Sequence, residues 1–137
     1  MEKFKFLSHT ADIKFQAFGK TLNECFENSA LAFTNSQYKG KIKAVINKKI
    51  KAKGKDYESL MYNFLEEVLV LLEGGFIVSK VNVKIDEKKL KLNAELKGDY
   101  AKNYELSMDA KAITYNNMFI RFNDKKKLWI AQVVVDV

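Results

Sequence analysis

KIKAVINKKIKAKGKDYESLMYNFLEEVLVLLEGG (Lys41–Gly75) carries two hydrophobic periods end to end, and their succession decides the fold class. From Lys41 to Lys53 the even positions Ile42, Ala44, Ile46, Ile50 and Ala52 are apolar, whereas most odd positions are lysine or polar. A period of two is the mark of a long strand with one face in water. Past Asp56, whose carboxylate suits a helix N-cap, Leu60, Met61, Phe64, Leu65, Val68, Leu69 and Leu72 fall on one broad face at helical spacing. Gly74-Gly75 then stops the helix. This helix is expected to be the main lid of a core.

The same two periods recur outward from that stretch. Phe4–Leu7 and Ile13–Phe18 alternate apolar and polar residues on either side of a break at Ser8-His9-Thr10-Ala11. After Gly19, Thr21-Leu-Asn-Glu24 has the form of a capping box. Leu22, Cys25, Phe26, Ser29, Ala30 and Phe33 make a buried helical stripe, with Asn23, Glu27 and Asn28 expected to face water. Beyond Gly75 everything is strand-like: Phe76–Ile85, Leu90–Leu96, Ala110–Tyr115, Met118–Phe122 and Leu128–Val135, with turns at Asp86–Lys89, Asn116-Asn117 and Asn123–Lys126. No repeat and no proline interrupts the pattern. The expectation is an α+β, two-layer single domain over residues 1–137, two helices packed on one face of a largely antiparallel sheet.

The 137 residues, 47% of them hydrophobic, suffice for one core and not for two ordinary domains. No apolar run approaches the roughly 18 residues that span a bilayer, and the first residues lack the pattern of a secretory signal, so a cytoplasmic location without membrane contact is expected. Cys25 is the single cysteine, which excludes an internal disulfide and a cysteine zinc cluster, and its place on the apolar stripe makes it a packing residue. The net charge of +7 would attract nucleic acid or an acidic protein surface. The cations are lysines, with Arg121 the exception, and lysine lacks the forked guanidinium that reads base edges. The excess therefore reads first as a solvated surface.

Chemistry-bearing motifs are sparse. His9 is the only histidine, no Gly-x-Ser-x-Gly or His-Glu-x-x-His is present, and no glycine-rich loop leads into Lys-Ser or Lys-Thr. A conventional hydrolase triad or phosphate loop is excluded, and a non-catalytic role is expected. Asp12 lies where a broken strand restarts, and Asp136 follows Val133-Val-Val135 one residue before Val137. If those strands are neighbours, two side-chain carboxylates and the carboxyl of Val137 converge. Such groups raise one another's pKa unless a cation compensates, and oxygen-only donors suit Ca²⁺ or Mg²⁺. The plainer alternative is a turn aspartate and an exposed terminal one. Lys111, set among apolar residues in Ala110-Lys-Ala-Ile-Thr-Tyr115, is either an outward strand lysine or a positive contact.

His9-Thr-Ala-Asp12 followed by Ile13, Gly19-x-Thr-Leu-x-Glu24-x-Phe26, the Glu73-Gly-Gly-Phe76 junction, Lys111-Ala-Ile-Thr-Tyr115 and Val134-Val-Asp136-Val137 occur in an order and spacing that resemble the archease family. The resemblance runs from Phe4 to Val137, with Ser8 standing where family members often carry aspartate. It implies a small cytoplasmic accessory protein of an RtcB-type RNA ligase, promoting guanylylation and multiple turnover of that ligase in tRNA splicing and RNA repair. tRNA would be met only through the ligase, and the accessory protein would be a monomer. The resemblance further implies a divalent cation, Ca²⁺ foremost with Mg²⁺ or Mn²⁺ as alternatives. Asp12, Asp136 and Val137 would be its ligands, with Lys111 and His9 as functional contacts beside them. The competing expectation is a basic RNA-binding or chaperone-like module with no specific ligase partner.

Overall fold

A computed structural model of the chain describes residues 1–9 and 11–137; Thr10, inside the expected break, lies outside the described residues. Strands β1 (Phe4–Leu7) and β2 (Ile13–Gly19) precede helix α1 (Leu22–Gln37), and β3 (Ile46–Lys53) precedes α2 (Tyr57–Glu73). Strands β4 (Phe76–Asp86), β5 (Lys91–Tyr100), β6 (Ala112–Asn123) and β7 (Leu128–Asp136) complete the order. All pairings are antiparallel, but the strands form two sheets, β1-β2-β7-β6 and β3-β5-β4. The expected α+β class holds, with two sheets in place of the expected one.

Each helix packs against strands of both sheets: α1 on β2 and β4, α2 on β3 and β6. One apolar cluster therefore unites Phe15 and Ala17 of β2, Val133 and Val135 of β7, and Leu92 and Leu96 of β5 beneath the helices. Phe26 of α1 meets Phe64 of α2 with ring centroids 6.0 Å apart. Both helix starts are capped as expected. Asp56 accepts from the Ser59 amide at 2.7 Å, and Thr21 accepts from the Glu24 amide at 3.1 Å while Glu24 reaches back to the Lys20 amide at 2.9 Å. At the β2–α1 turn Gly19 is required by close approach, because a Cβ there would stand 2.3 Å from the Cys25 nitrogen.

Three local expectations are corrected. The polar residues of α1 do not face water: Asn23 and Glu27 accept from the Ile85 and Val83 amides of the sheet edge β4 at 3.1 and 2.8 Å, and buried Asn28 donates to the Phe18 carbonyl at 2.6 Å. An edge strand's free donors need acceptors, and this helix supplies them. The strand expected from Lys41 begins at Ile46, since pairing with β5 starts at Ile46 opposite Gly98, and Ile42 and Lys43 are held by side chains, Ser79 donating to the Ile42 carbonyl at 2.7 Å and the Lys43 amide donating to the Tyr104 hydroxyl at 2.9 Å. Asn116-Asn117 is no hairpin turn. β6 pairs with β7 on both sides of it, the register shifts between Thr114 and Phe119, and Asn117, in the left-handed region (φ 54°), makes a bulge whose carbonyl accepts from Gln132 at 2.7 Å. The turns at Asp86–Lys89 and after Asn123 are where the sequence puts them.

Candidate functional site

Strand register brings the ends of the chain together. β7 lies between β2 and β6, with Ile13 opposite Val135 on one side and Ala112 opposite Asp136 on the other. Asp12, immediately before β2, thus comes alongside Asp136, immediately after the last β2–β7 pair. Lys111, immediately before β6, donates its backbone N–H to the Asp136 carbonyl at 2.8 Å. Asp12, His9, Lys111, Asp136 and Val137 consequently share one end of the four-stranded sheet. Asp136 and Lys111 are exposed, and Val137 packs its side chain on the rim of the core.

His9 and Asp12 lean on each other. The His9 Nδ1 is 3.6 Å from the Asp12 Oδ2, which is long for a hydrogen bond, and this buried nitrogen has no hydrogen-bond partner among the described residues. The intervening Ala11 has φ 67°, a left-handed conformation that an L-alanine adopts at a cost of roughly 1–2 kcal/mol. Backbone strain of this kind is held only where surroundings enforce it. Here β1 and β2, paired from Phe4–Ala17 to Leu7–Lys14, clamp both sides of the connection.

A hollow of about 330 Å³ opens beside Asp12, lined also by Phe6, Leu7, Ser36, Ser107 and Met108. Its far wall is fixed by Gln37, a fully buried residue that sequence reasoning passed over. The Gln37 Oε1 accepts from the Ala110 amide at 3.1 Å and its carbonyl from the Ser107 amide at 2.8 Å, so the last turn of α1 sets the segment leading into Lys111. Asp99 braces the other end of that segment, accepting from the Tyr104 hydroxyl and the Tyr100 amide, each at 2.8 Å. The Tyr104 hydroxyl, followed by the Tyr100 amide, holds the Asp99 carboxyl below its ordinary value. Neither residue belongs to a motif, and only pairing across the fold reveals them.

Among the described residues no three His, Cys, Asp or Glu side chains gather as a metal group. The side-chain oxygen donors at the sheet end are the two carboxylates, hard ligands that fit Ca²⁺ or Mg²⁺ chemistry when further oxygens from main chain, water or partner join them, whereas the His9 imidazole nitrogen adds nothing to such a set. Among the described residues no helix is long and apolar enough to cross a membrane.

The fold defines a class: small α+β proteins of two antiparallel sheets bridged by two helices, here with an aspartate at the end of each of the two inner strands β2 and β7 of the larger sheet. The model of the Archease protein family (MTH1598/TM1083) matches residues 4–137. Protein archease of Sulfurisphaera tokodaii is 36% identical over 141 residues, and that of Pyrococcus furiosus 38% over 144, each alignment covering all of both chains. The solution structure of Methanobacterium thermoautotrophicum protein 1598 superposes with a TM-score of 0.86 at 32% identity over all of both chains. The crystal structure of a Thermotoga maritima archease, described as a possible chaperone, gives 0.65 at 15% identity, covering 97% of this chain and 96% of that one, a likeness of fold. The chain belongs to the archease family.

Proposed function

We propose that this protein is a non-catalytic, metal-binding accessory factor that activates an RtcB-type RNA ligase, promoting its guanylylation and repeated turnover in tRNA splicing and RNA repair. Family membership and the absence of a nucleophile and base pair from the described site support the accessory role. The observation that carries the site is the β2–β7 register, which sets Asp12 alongside Asp136. Asp12, Asp136 and the Val137 carboxyl would hold a divalent cation, Ca²⁺ first and Mg²⁺ or Mn²⁺ otherwise. Such an ion, taking roughly six to eight oxygens when it is Ca²⁺, would supply positive charge and open coordination positions to the ligase partner. His9 and Lys111 would orient the ligands, Lys111 through its amide on Asp136. The factor would act in the cytoplasm as a monomer and meet tRNA only through the ligase.

The test is guanylylation of an RtcB-type ligase with and without this protein in Ca²⁺, Mg²⁺ and Mn²⁺, beside calorimetric titration of each cation. Asp12→Ala and Asp136→Ala are expected to fold normally, bind cation about tenfold or more weakly, and lose stimulation, since even groups that merely support ligands are worth about 10–100-fold. Normal stimulation by both variants would show the site to be misassigned.

A further inference from the structure

The lysine excess is not spread evenly. In the three-stranded sheet the residues with even numbers in β5, Leu92, Ala94 and Leu96, are buried, and Lys91, Asn93, Glu95 and Lys97 point away from the core. Register carries that outward face across the neighbours. Lys53 stands directly opposite Lys91, Lys80 opposite Lys97, and Lys49 opposite Glu95, while Lys51 and Lys84 flank Asn93 from either side. Asp86, beside Lys91, is the only other carboxylate in this face. Seven lysines against two carboxylates leave a surplus of five positive charges, out of a net seven for the molecule. No helix covers the face, which dips into a concavity of about 660 Å³ around Lys49, Lys51, Lys84, Asn93 and Glu95. A second hollow shares Lys51 and Asn93 and continues toward Lys53 and Lys91.

One fact sets this face apart from a merely soluble surface, and a second it shares with the rest of the molecule. Like charges directly opposite on adjacent strands destabilise a sheet, and this one keeps two such pairs. Among the described residues no lysine ammonium lies within ion-pair distance of a carboxylate, so the cations are left unneutralised. Most of the large exposed apolar side chains, Phe6, Leu106, Met108, Tyr115 and Phe122 among them, lie off this sheet, and the two that adjoin it, Val45 and Tyr100, stand at its end beyond the lysines. A protein partner wants a desolvated apolar or aromatic centre and disfavours lysine, whereas a phosphate backbone wants spaced mobile cations and nothing to read bases.

We propose that the outer face of β3-β5-β4 docks the sugar-phosphate backbone of a nucleic-acid strand without regard to base sequence. The site lies on the other sheet from Asp12 and Asp136, and the proposal does not depend on the ligase reading. Binding of a fluorescent, roughly 20-nucleotide oligouridylate, followed by anisotropy, is expected to weaken by about 50-fold between about 50 and about 200 mM salt, as contact with about four phosphates requires. The triple variant Lys51→Gln, Lys84→Gln, Lys97→Gln should flatten the logarithmic salt slope by about 2 and cost about tenfold in affinity at low salt. Because Lys97→Gln relieves a repulsive pair, the triple variant should also melt no lower than the native protein, so weaker binding cannot be ascribed to unfolding. A control at the β6–β7 turn, Lys125→Gln with Lys126→Gln, should change affinity less than about twofold. Native-like binding by the triple variant, or an equal loss in the control, would overturn the assignment to this face. Failure of the native protein to bind the RNA while it binds polyglutamate would overturn it in favour of an acidic protein. Asp12→Ala should bind the RNA normally, which separates this proposal from the metal site.

Discussion

Cys25 shows what one buried group does to the whole stability profile. It sits in the first turn of α1, on the helix's inner stripe and without solvent exposure, and burial pushes its thiol from an ordinary 9.0 up to about 12. The fold thus favours the protonated form. Below pH 9 the thiol is neutral folded or unfolded and contributes nothing to pH dependence; above it the unfolded chain ionises and the folded one does not. Stability is therefore lost as pH rises from about 9 towards 12, at about 1.4 kcal/mol per pH unit. Urea titrations at alkaline pH should show that decline in the native protein and a shallower one in Cys25→Ala. Parallel declines would mean that the thiol is not protected. The packing role expected from its spacing is the one the fold gives it.

At the level of elements, α1 acts as both core helix and edge cover. Asn23 accepts the Ile85 amide and Glu27 the Val83 amide of β4, and burial holds the Glu27 carboxyl above its ordinary value, with the Val83 amide pulling it down. The double variant Asn23→Ala, Glu27→Ala should lower unfolding free energy by about 1–3 kcal/mol and speed hydrogen exchange specifically at Val83 and Ile85. Unchanged protection of those two amides would remove the edge-covering role. Sequence could not show it, because an Asn or Glu off the apolar stripe looks the same whether it meets water or a neighbouring strand. Elements with strong periods were legible for the opposite reason: Leu60 to Leu69 and Leu92 to Leu96 announce their buried faces without knowledge of any partner. The break in pattern at Asn116-Asn117 was visible, but whether it ends a strand or bulges it depends on which residues of β7 stand opposite. Likewise Asp12 and Asp136 were legible as candidates through their place beside strand ends, whereas Gln37 and the lysine face needed the register.

For the whole molecule, charge is the term most open to measurement. A net +7 without lysine–carboxylate ion pairs among the described residues means self-repulsion with little attraction to offset it. Raising salt from about 10 to about 300 mM should therefore raise Tm by roughly 2–5 °C in scanning calorimetry, since screening removes repulsion first. A fall would indicate that attractive charge networks outweigh the repulsion. The position of β7 has a further consequence, for biosynthesis. A strand late in the chain fills the gap between β2, near the beginning, and β6. While the ribosome still holds residues 128–136, both neighbours present bare hydrogen-bonding rims and the ledge for Asp12 and Asp136 does not exist. The nascent protein is thus at its most adhesive until β7 has emerged, and closes only when that strand slides into place.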